Sequence, residues 1–216
     1  MPVRIMKNKV LSTPVRMQPK TARKNTLRSS DQPTHGGVTL IIPARNEAQN
    51  ICEAIERSLS YCDELIVVDG HSTDGTRDLA ADYGVRIVLD NKKGKGDAIR
   101  VGAQAATHSI VVFMDADGSH DPADIPFLTE PIKQNQADLV IGSRGRGGSD
   151  ELHGDIEKLM RMVGSDIILI GINLRWKQKL TDSQNGFRAI RRDVINSLDL
   201  RENITTIEQE MTMKCL

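Results

Sequence analysis

At 216 residues, with 38% hydrophobic and 27% charged residues, the chain suits one sizeable domain with an ordinary buried core. Aromatic residues make up only 3%, which argues against a surface built on base stacking, so no nucleic-acid partner is expected. The zero net charge conceals an asymmetry: residues 1–36 hold eight Lys/Arg and one acid, a net +7, and the remainder carries −7.

Residues 1–36 mix those bases with Pro, Ser, Thr and Gln and show no sustained period. They read as a basic flexible tail. It is either an idle extension or an arm drawn to an anionic membrane surface, where each basic residue contributes about 1 kcal/mol. An RNA-binding arm is the third reading. Cys52, Cys62 and Cys215 are odd in number and form no CxxC pair, which disfavours a disulfide framework or a zinc site and fits a reducing compartment. The longest apolar run, Ile167–Ile172, falls far short of the roughly 18 residues that span a bilayer. The first residues lack the apolar core of a secretory signal. The expected location is the cytoplasm, with peripheral attachment to the cytoplasmic face of a membrane as the variant.

From Val38 the pattern changes. Val38–Ile42 reads as a buried strand stopped by Pro43, and Ala48–Leu59 as a helix with Ile51, Ile55 and Leu59 on one face. Leu65–Val68 is a second strand, ending at Asp69-Gly70; Ser72, Thr73 and Asp74 then offer caps for a helix that Gly84 ends. Val85–Leu89 is a third strand, and the polar loop Asn91–Gly96 leads into a helix over Asp97–Ala106. Ile110–Met114 is a fourth strand, followed after Asp121-Pro122 by a helix to about Gln136 that Pro126 and Pro131 interrupt. Leu139–Gly142 is a fifth strand; Gly145–Gly148 reads as a mobile loop, Asp155–Leu174 as a helix, Phe187–Ile190 as a short segment before terminal helices. Strands alternating with helices predict an α/β domain, a mostly parallel sheet with helices on both faces.

The chemistry collects at strand ends. Asp115 and Asp117 close the fourth strand, and their i, i+2 spacing lets both carboxylates project to one side. Ligands of open α/β sheets gather at that edge, and two hard oxygens suit Mg²⁺ or Mn²⁺. A plain Asp/Gly turn is the alternative, as is a phosphatase of the haloacid dehalogenase type, although that family places its aspartates on the first strand of the domain. The same edge receives Pro43-Ala44-Arg45-Asn46-Glu47, Asp69-Gly70-His71, and Gly94-Lys95-Gly96, whose glycines allow close backbone approach and whose lysine suits a phosphate. Neither GxxxxGK[ST] nor a GxGxxG after the first strand is present.

The run of IIPARNE (41–47), VVDGHSTDGT (67–76), GKGDAIRVG (94–102), FMDADGSHDP (113–122), VIGSR (140–144) and TDSQNGFRAIRR (181–192) resembles the family 2 glycosyltransferases. Within them it is similar to the branch of dolichyl- and polyprenyl-phosphate mannosyl- and glucosyltransferases, from Val38 nearly to the end. The resemblance implies the GT-A fold over residues 37–216, a nucleotide-sugar donor of the GDP-mannose or UDP-glucose type, a divalent metal and inversion at the sugar carbon. By matching position, Pro43, Arg45, Glu47 and Asp69 would line the nucleoside pocket, Lys95 and Ala116 would lie beside the donor, and Asp115 and Asp117 would hold Mg²⁺ or Mn²⁺. Ser119 falls where some relatives place another polar group near the metal, and His120 reads as a loop cap.

On the acceptor side, Arg144, Arg161, Ser165 and Arg188 match positions that the resemblance assigns to the phosphate of a polyprenyl acceptor, a task that suits the guanidinium fork. Asp182 matches the acceptor-activating position and, with Asp117, is the expected catalytic residue. A phosphate monoester is already mostly a dianion at neutral pH, its second pKa being about 6. Asp182 would therefore orient such an acceptor, whereas a hydroxyl acceptor needs it as a base. Relatives of this branch continue past the helix of Glu208-Gln209-Glu210 with a further strand and a basic segment. The chain is therefore expected to be C-terminally truncated, lacking part of its acceptor site. Without that part, a soluble acceptor or a non-catalytic nucleotide-sugar-binding role are the alternatives.

Overall fold

The computed structural model describes residues 10–13, 36–143, 170–171, 173–175, 177, 182 and 185–216. In chain order they form β1 (Val10–Thr13), β2 (Val38–Ala44), α1 (Ile51–Ser58), β3 (Glu64–Asp69), α2 (Thr76–Ala81), β4 (Arg86–Leu89), α3 (Lys95–Ala105), β5 (Ile110–Phe113), a 3₁₀ turn (Pro122–Asp124), α4 (Ile125–Lys133), β6 (Leu139–Gly142), β7 (Arg188–Arg191), α5 (Arg192–Ser197) and α6 (Ile207–Cys215). Among the described residues the sheet has seven strands in the order β1-β6-β7-β5-β2-β3-β4. Every pairing is parallel except those of β7, which runs antiparallel between β5 and β6.

Alternation along the strands sorts the apolar side chains onto two faces. Leu40, Ile42, Leu65, Val67, Ile110, Val112 and Val140 meet Ile51 and Ile55 of α1, Ala80 of α2 and Ile125, Leu128 and Ile132 of α4. Their neighbours Ile41, Ile66, Val68, Val111, Phe113, Leu139 and Ile141 meet Ala98, Ile99 and Ala103 of α3, Ile195 of α5 and Ile207, Met211 and Cys215 of α6. Strands buried on both sides read as continuous apolar runs, which is why the positions expected for β2, β3, β5 and β6 hold to within two residues.

Three expectations need correction. Pro43 does not stop β2, which runs on to Ala44 with Pro43 in register beside Val68 of β3. Four residues assigned to a flexible tail, Val10–Thr13, form β1, paired in parallel with the edge of β6. Unpaired backbone groups on that edge recruit the segment, and Val10 is 4% exposed within the second core. Pro126 and Pro131 do not interrupt α4. Pro126 sits in its first turn, where no intrahelical N–H is required. Pro131 lies near its end, so the bond it removes is one to the carbonyl of exposed Phe127. Of the helix expected over Asp155–Leu174, residues 170, 171, 173 and 174 are described and helical. The Gly145–Gly148 loop lies outside the described residues.

Candidate active site

Parallel register aligns the carboxyl ends of four strands. Ala44 of β2 stands beside Asp69 of β3, Asp69 beside Leu89 of β4, and Ile41 of β2 beside Phe113 of β5. The loops leaving these ends enclose a cleft of about 550 Å³. Its wall is made by Pro43 and Ala44 at the end of β2, Arg45 and Glu47 after it, Gly70 and His71 after β3, Asp90, Lys92 and Gly94 after β4, Lys95 and Ala98 of α3, and Asp115, Ala116 and Asp117 after β5.

The loops are stitched to each other. The Asn46 and Glu47 N–H groups donate to Ser72 Oγ (2.9 Å) and Thr76 Oγ1 (2.8 Å), and Thr73 N–H donates to Asn46 Oδ1 (2.9 Å). Three consecutive strand-end loops each hold a non-glycine residue at positive φ: Asn46 (57°), His71 (61°) and Lys92 (62°). Such backbone costs on the order of 1–3 kcal/mol per residue and persists where the surroundings over-determine it. These loops are held in shape before any ligand arrives.

Lys95 joins the halves of the site. Its Nζ lies 2.7 Å from Asp115 Oδ1 and 2.9 Å from Glu208 Oε1 on α6. Burial opposes the lysine charge, but Asp115 and Glu208 outweigh it and hold the Lys95 pKa above the ordinary value. Burial likewise opposes ionisation of Asp115; the neighbouring His120 and then the Lys95 ammonium override it and bring the carboxyl down to about 2. His120 Nε2 is 3.8 Å from Asp115 Oδ2, and its ring stacks on Phe187 with centroids 5.0 Å apart. His120 thus lies between the Asp115 carboxylate and the Phe187 ring. Asp117 is exposed, and its Oδ1 accepts from Ser119 N–H at 3.0 Å.

The glycines beside Lys95 lie against protein backbone. Gly96 N–H donates to Asn203 O (3.0 Å), and a Cβ on Gly96 would stand 2.2 Å from Glu202 O. The lysine loop is thereby docked on the segment that leads into α6. On the far side, Asp182 is 9% exposed and accepts from Asn185 N–H (3.1 Å), while the Asn185 side chain donates to Gly142 O (2.9 Å). A Cβ on Gly186 would meet Asp115 Oδ2 at 2.7 Å, so this turn presses against Asp115.

Seven of the residues assigned to the donor side, Pro43, Arg45, Glu47, Lys95, Asp115, Ala116 and Asp117, share the cleft wall. Asp69 does not. It is wholly buried and accepts from Ser72 N–H, with Arg77 Nε at 3.8 Å, so it braces the β3 loop while Gly70 and His71 face the cleft. Arg188 also needs correction. It is 1% exposed, and its guanidinium donates to Asn185 O, Glu208 O (2.6 Å) and Thr212 Oγ1 (3.3 Å). Burial lowers its pKa to about 10, although Glu208 and Asp182 lie close enough to favour the charge. A guanidinium so enclosed ties the Asp182 turn to α6 and has no face for an acceptor phosphate. Arg144, Arg161 and Ser165 lie outside the described residues.

Sequence reasoning put His71 on this edge without a role, and missed Asp90, Lys92 and Glu208. The signal for Asp90 was present, since it follows β4 as Asp69 closes β3. The backbone carbonyl of Asp90 lies 2.9 Å from His71 Nε2. No local signal marks Glu208, which reaches the site only through the packing of α6 on α3.

Among the described residues no group of three or more His, Cys, Asp or Glu is placed to hold a metal. The donor set at Asp115 and Asp117 is nevertheless the kind that suits Mg²⁺ or Mn²⁺. Such ions keep waters and take one or two carboxylates together with substrate phosphates, and the open cleft beside Asp117 has room for both.

The family described as "Glycosyl transferase family 2" matches residues 39–199. Glycosyltransferase AglJ of Haloferax volcanii is 33% identical over 85% of this chain and 59% of its own length. The dolichol-phosphate mannosyltransferase of Pyrococcus furiosus is 34% identical over 82% of this chain and 52% of its own. An undecaprenyl-phosphate mannosyltransferase of Micrococcus luteus is 34% identical over 76% and 70%. Among solved structures, glucosyl-3-phosphoglycerate synthase from Mycobacterium tuberculosis, in complex with Mn²⁺, UDP and glucosyl-3-phosphoglycerate, superposes with a TM-score of 0.66 at 25% identity, over 82% of this chain and 64% of that one. The chain thus spans between half and two thirds of the first two relatives and of that structure, and it shares the GT-A fold.

Proposed function

The chain belongs to glycosyl transferase family 2, and on that premise we propose that it moves a hexose from a nucleoside-diphosphate sugar to the phosphate of a polyprenyl or dolichyl acceptor, with inversion. The observation that carries the reading is the meeting of Asp115, Asp117 and Lys95 in one cleft at the carboxyl edge of the sheet. Relatives named for dolichol-phosphate and undecaprenyl-phosphate mannosyl transfer point to the lipid acceptor.

In this reading Pro43, Arg45, Glu47, Gly70, His71 and Asp90 receive the nucleoside, and Asp115 and Asp117 hold a divalent cation. Bound there, the cation would neutralise the charge that grows on the departing diphosphate. Lys95 adds a positive charge beside the same place, and the rigid strand-end loops keep the nucleoside and cation groups aligned during the reaction. Asp182, held by Asn185, orients the acceptor oxygen for in-line attack on the anomeric carbon. Arg144, Arg161 and Ser165 are assigned to the acceptor phosphate by resemblance. Among the described residues no helix is long and apolar enough to cross a membrane. A lipid acceptor would therefore be met at a membrane surface, with the basic residues before Val38 as the contact.

A second reading keeps the donor and changes the acceptor, because solved structures of the mycobacterial synthase hold UDP-glucose together with phosphoglyceric acid, a soluble phosphorylated molecule. Both are tested by incubating the purified protein with labelled GDP-mannose or UDP-glucose, Mn²⁺ or Mg²⁺, and either a short polyprenyl phosphate or 3-phosphoglycerate. Lipid-linked label supports the first reading, and label on phosphoglycerate the second. Nucleotide binding without transfer to either would make the chain a binding module. Asp117→Ala should abolish cation-dependent transfer; full activity in that variant would remove Asp117 from the cation site.

A further inference from the structure

Lys95 stands between two carboxylates, and the proposed function requires one of them for a cation. Its ammonium has three N–H donors on a flexible four-carbon stem, and two of them point at Asp115 Oδ1 and Glu208 Oε1, 2.7 and 2.9 Å away. As long as Lys95 holds Asp115, it both blocks an oxygen and adds a repelling charge where the cation must sit. Glu208 is only 3% exposed, and its other oxygen, Oε2, is buried with no hydrogen-bond partner among the described residues. A buried carboxylate oxygen left bare is costly, and such an oxygen calls for an explanation, a catalytic role among them.

The surroundings fix where that partner comes from. Gly96 N–H is bonded to Asn203 O, and Arg100 is bonded to Glu202 O and Asn203 Oδ1, which locks the start of α3 to the entrance of α6. The guanidinium of Arg188, bonded to the Glu208 carbonyl, holds α6 from the other side. The two backbones are therefore fixed relative to each other, and the moving part is the Lys95 side chain.

We propose that Glu208 is the alternate counterion of Lys95. When a divalent cation and the diphosphate take Asp115, the ammonium passes wholly to Glu208, whose bare oxygen accepts the bond that Asp115 gives up. Glu208 is then a positioning residue that acts on the cation site through Lys95. The inference rests on Asp115 being a cation ligand.

The test is direct Mn²⁺ binding, followed by the electron paramagnetic resonance signal of the free ion, with UDP or GDP held at saturation for each variant. Glu208→Gln removes the alternate counterion and should weaken Mn²⁺ binding about tenfold, the lower end of what outer partners of metal ligands contribute. The double variant Lys95→Met/Glu208→Gln removes the competitor as well and should bind Mn²⁺ at least as tightly as the unaltered protein. Unchanged affinity in Glu208→Gln would overturn the exchange alone. So would a double variant as weak as Glu208→Gln, because Glu208 would then act on the cation or the fold without Lys95. No Mn²⁺ binding by the unaltered protein would overturn the exchange together with the cation reading beneath it.

Discussion

Asp115 keeps its charge in surroundings that oppose it, and the consequence is measurable. Its carboxyl is held near 2, against an ordinary 3.8, because His120 and Lys95 outweigh the effect of burial. A carboxyl whose pKa is lower in the folded state contributes stability that is fully present above about pH 4 and is lost as pH falls towards 2. The shift corresponds to roughly 2 kcal/mol at most. Denaturant unfolding of Asp115→Asn between pH 5 and 2 should therefore show a shallower loss of stability than the unaltered protein; parallel curves would mean that the pairing does not favour the folded state. At this scale the sequence was informative where a residue's place in the cleft wall follows from its position after a strand, as for Arg45, Glu47, Asp115 and Asp117. It was misleading for Asp69 and Arg188. Both occupy motif positions, but whether a charged side chain at a strand end faces the cleft or braces a loop depends on its rotamer and on neighbours such as Ser72, Asn185 and Thr212. Those contacts form only when distant segments pack.

Between elements, the most exacting contact is that of the lysine loop with the entrance to α6. Gly94 has φ 107° and ψ −174°, a conformation open to glycine, and a Cβ on Gly96 would stand 2.2 Å from Glu202 O and 2.9 Å from Glu202 C. The obstacle is backbone on both sides, so relief requires α3 and the 202–203 segment to part. Gly96→Ala should then cost about 1–3 kcal/mol, the range for overpacking a well-filled contact, and should weaken nucleotide binding because Lys95 shifts with the helix start. Chemical denaturation and nucleotide titration of this variant check both effects; a loss of stability with unchanged binding would show that Lys95 keeps its place independently of the dock. The elements of the parallel sheet were readable because each is an apolar run bounded by Gly, Pro or Asp. Strand β7 was visible only as a short segment, since its antiparallel insertion between β5 and β6 is set by partners far from it in the chain. Strand β1 was hidden by its length of four residues and by the basic, polar stretch around it.

Considered as a whole, the molecule places its chemistry on one part of the sheet and its N-terminal strand on another. The cleft is built on β2, β3, β4 and β5, whereas β1 sits at the opposite edge, beyond β6 and β7. Adjacent strands lie about 4.8 Å apart, so three strand spacings, roughly 14 Å, separate β1 from β5. Removing residues 1–14 would leave the cleft wall untouched, uncover the unpaired edge of β6 and expose the part of the second core that Val10 covers. The hydrophobic loss for one valine is about 1.5–3 kcal/mol at full burial, and in a domain of this size each kcal/mol lowers the melting temperature by about 2–4 °C. The shortened protein should therefore melt several degrees lower and associate more readily through its bare edge, while binding UDP or GDP with unchanged affinity. Thermal unfolding, sedimentation velocity and nucleotide titration separate these effects. A drop in nucleotide affinity matching the drop in stability would mean that β1 supports the cleft through β6, β7 and the Asp182 turn. The strand would then serve the site through the sheet, separately from any membrane surface that the basic residues before Val38 meet.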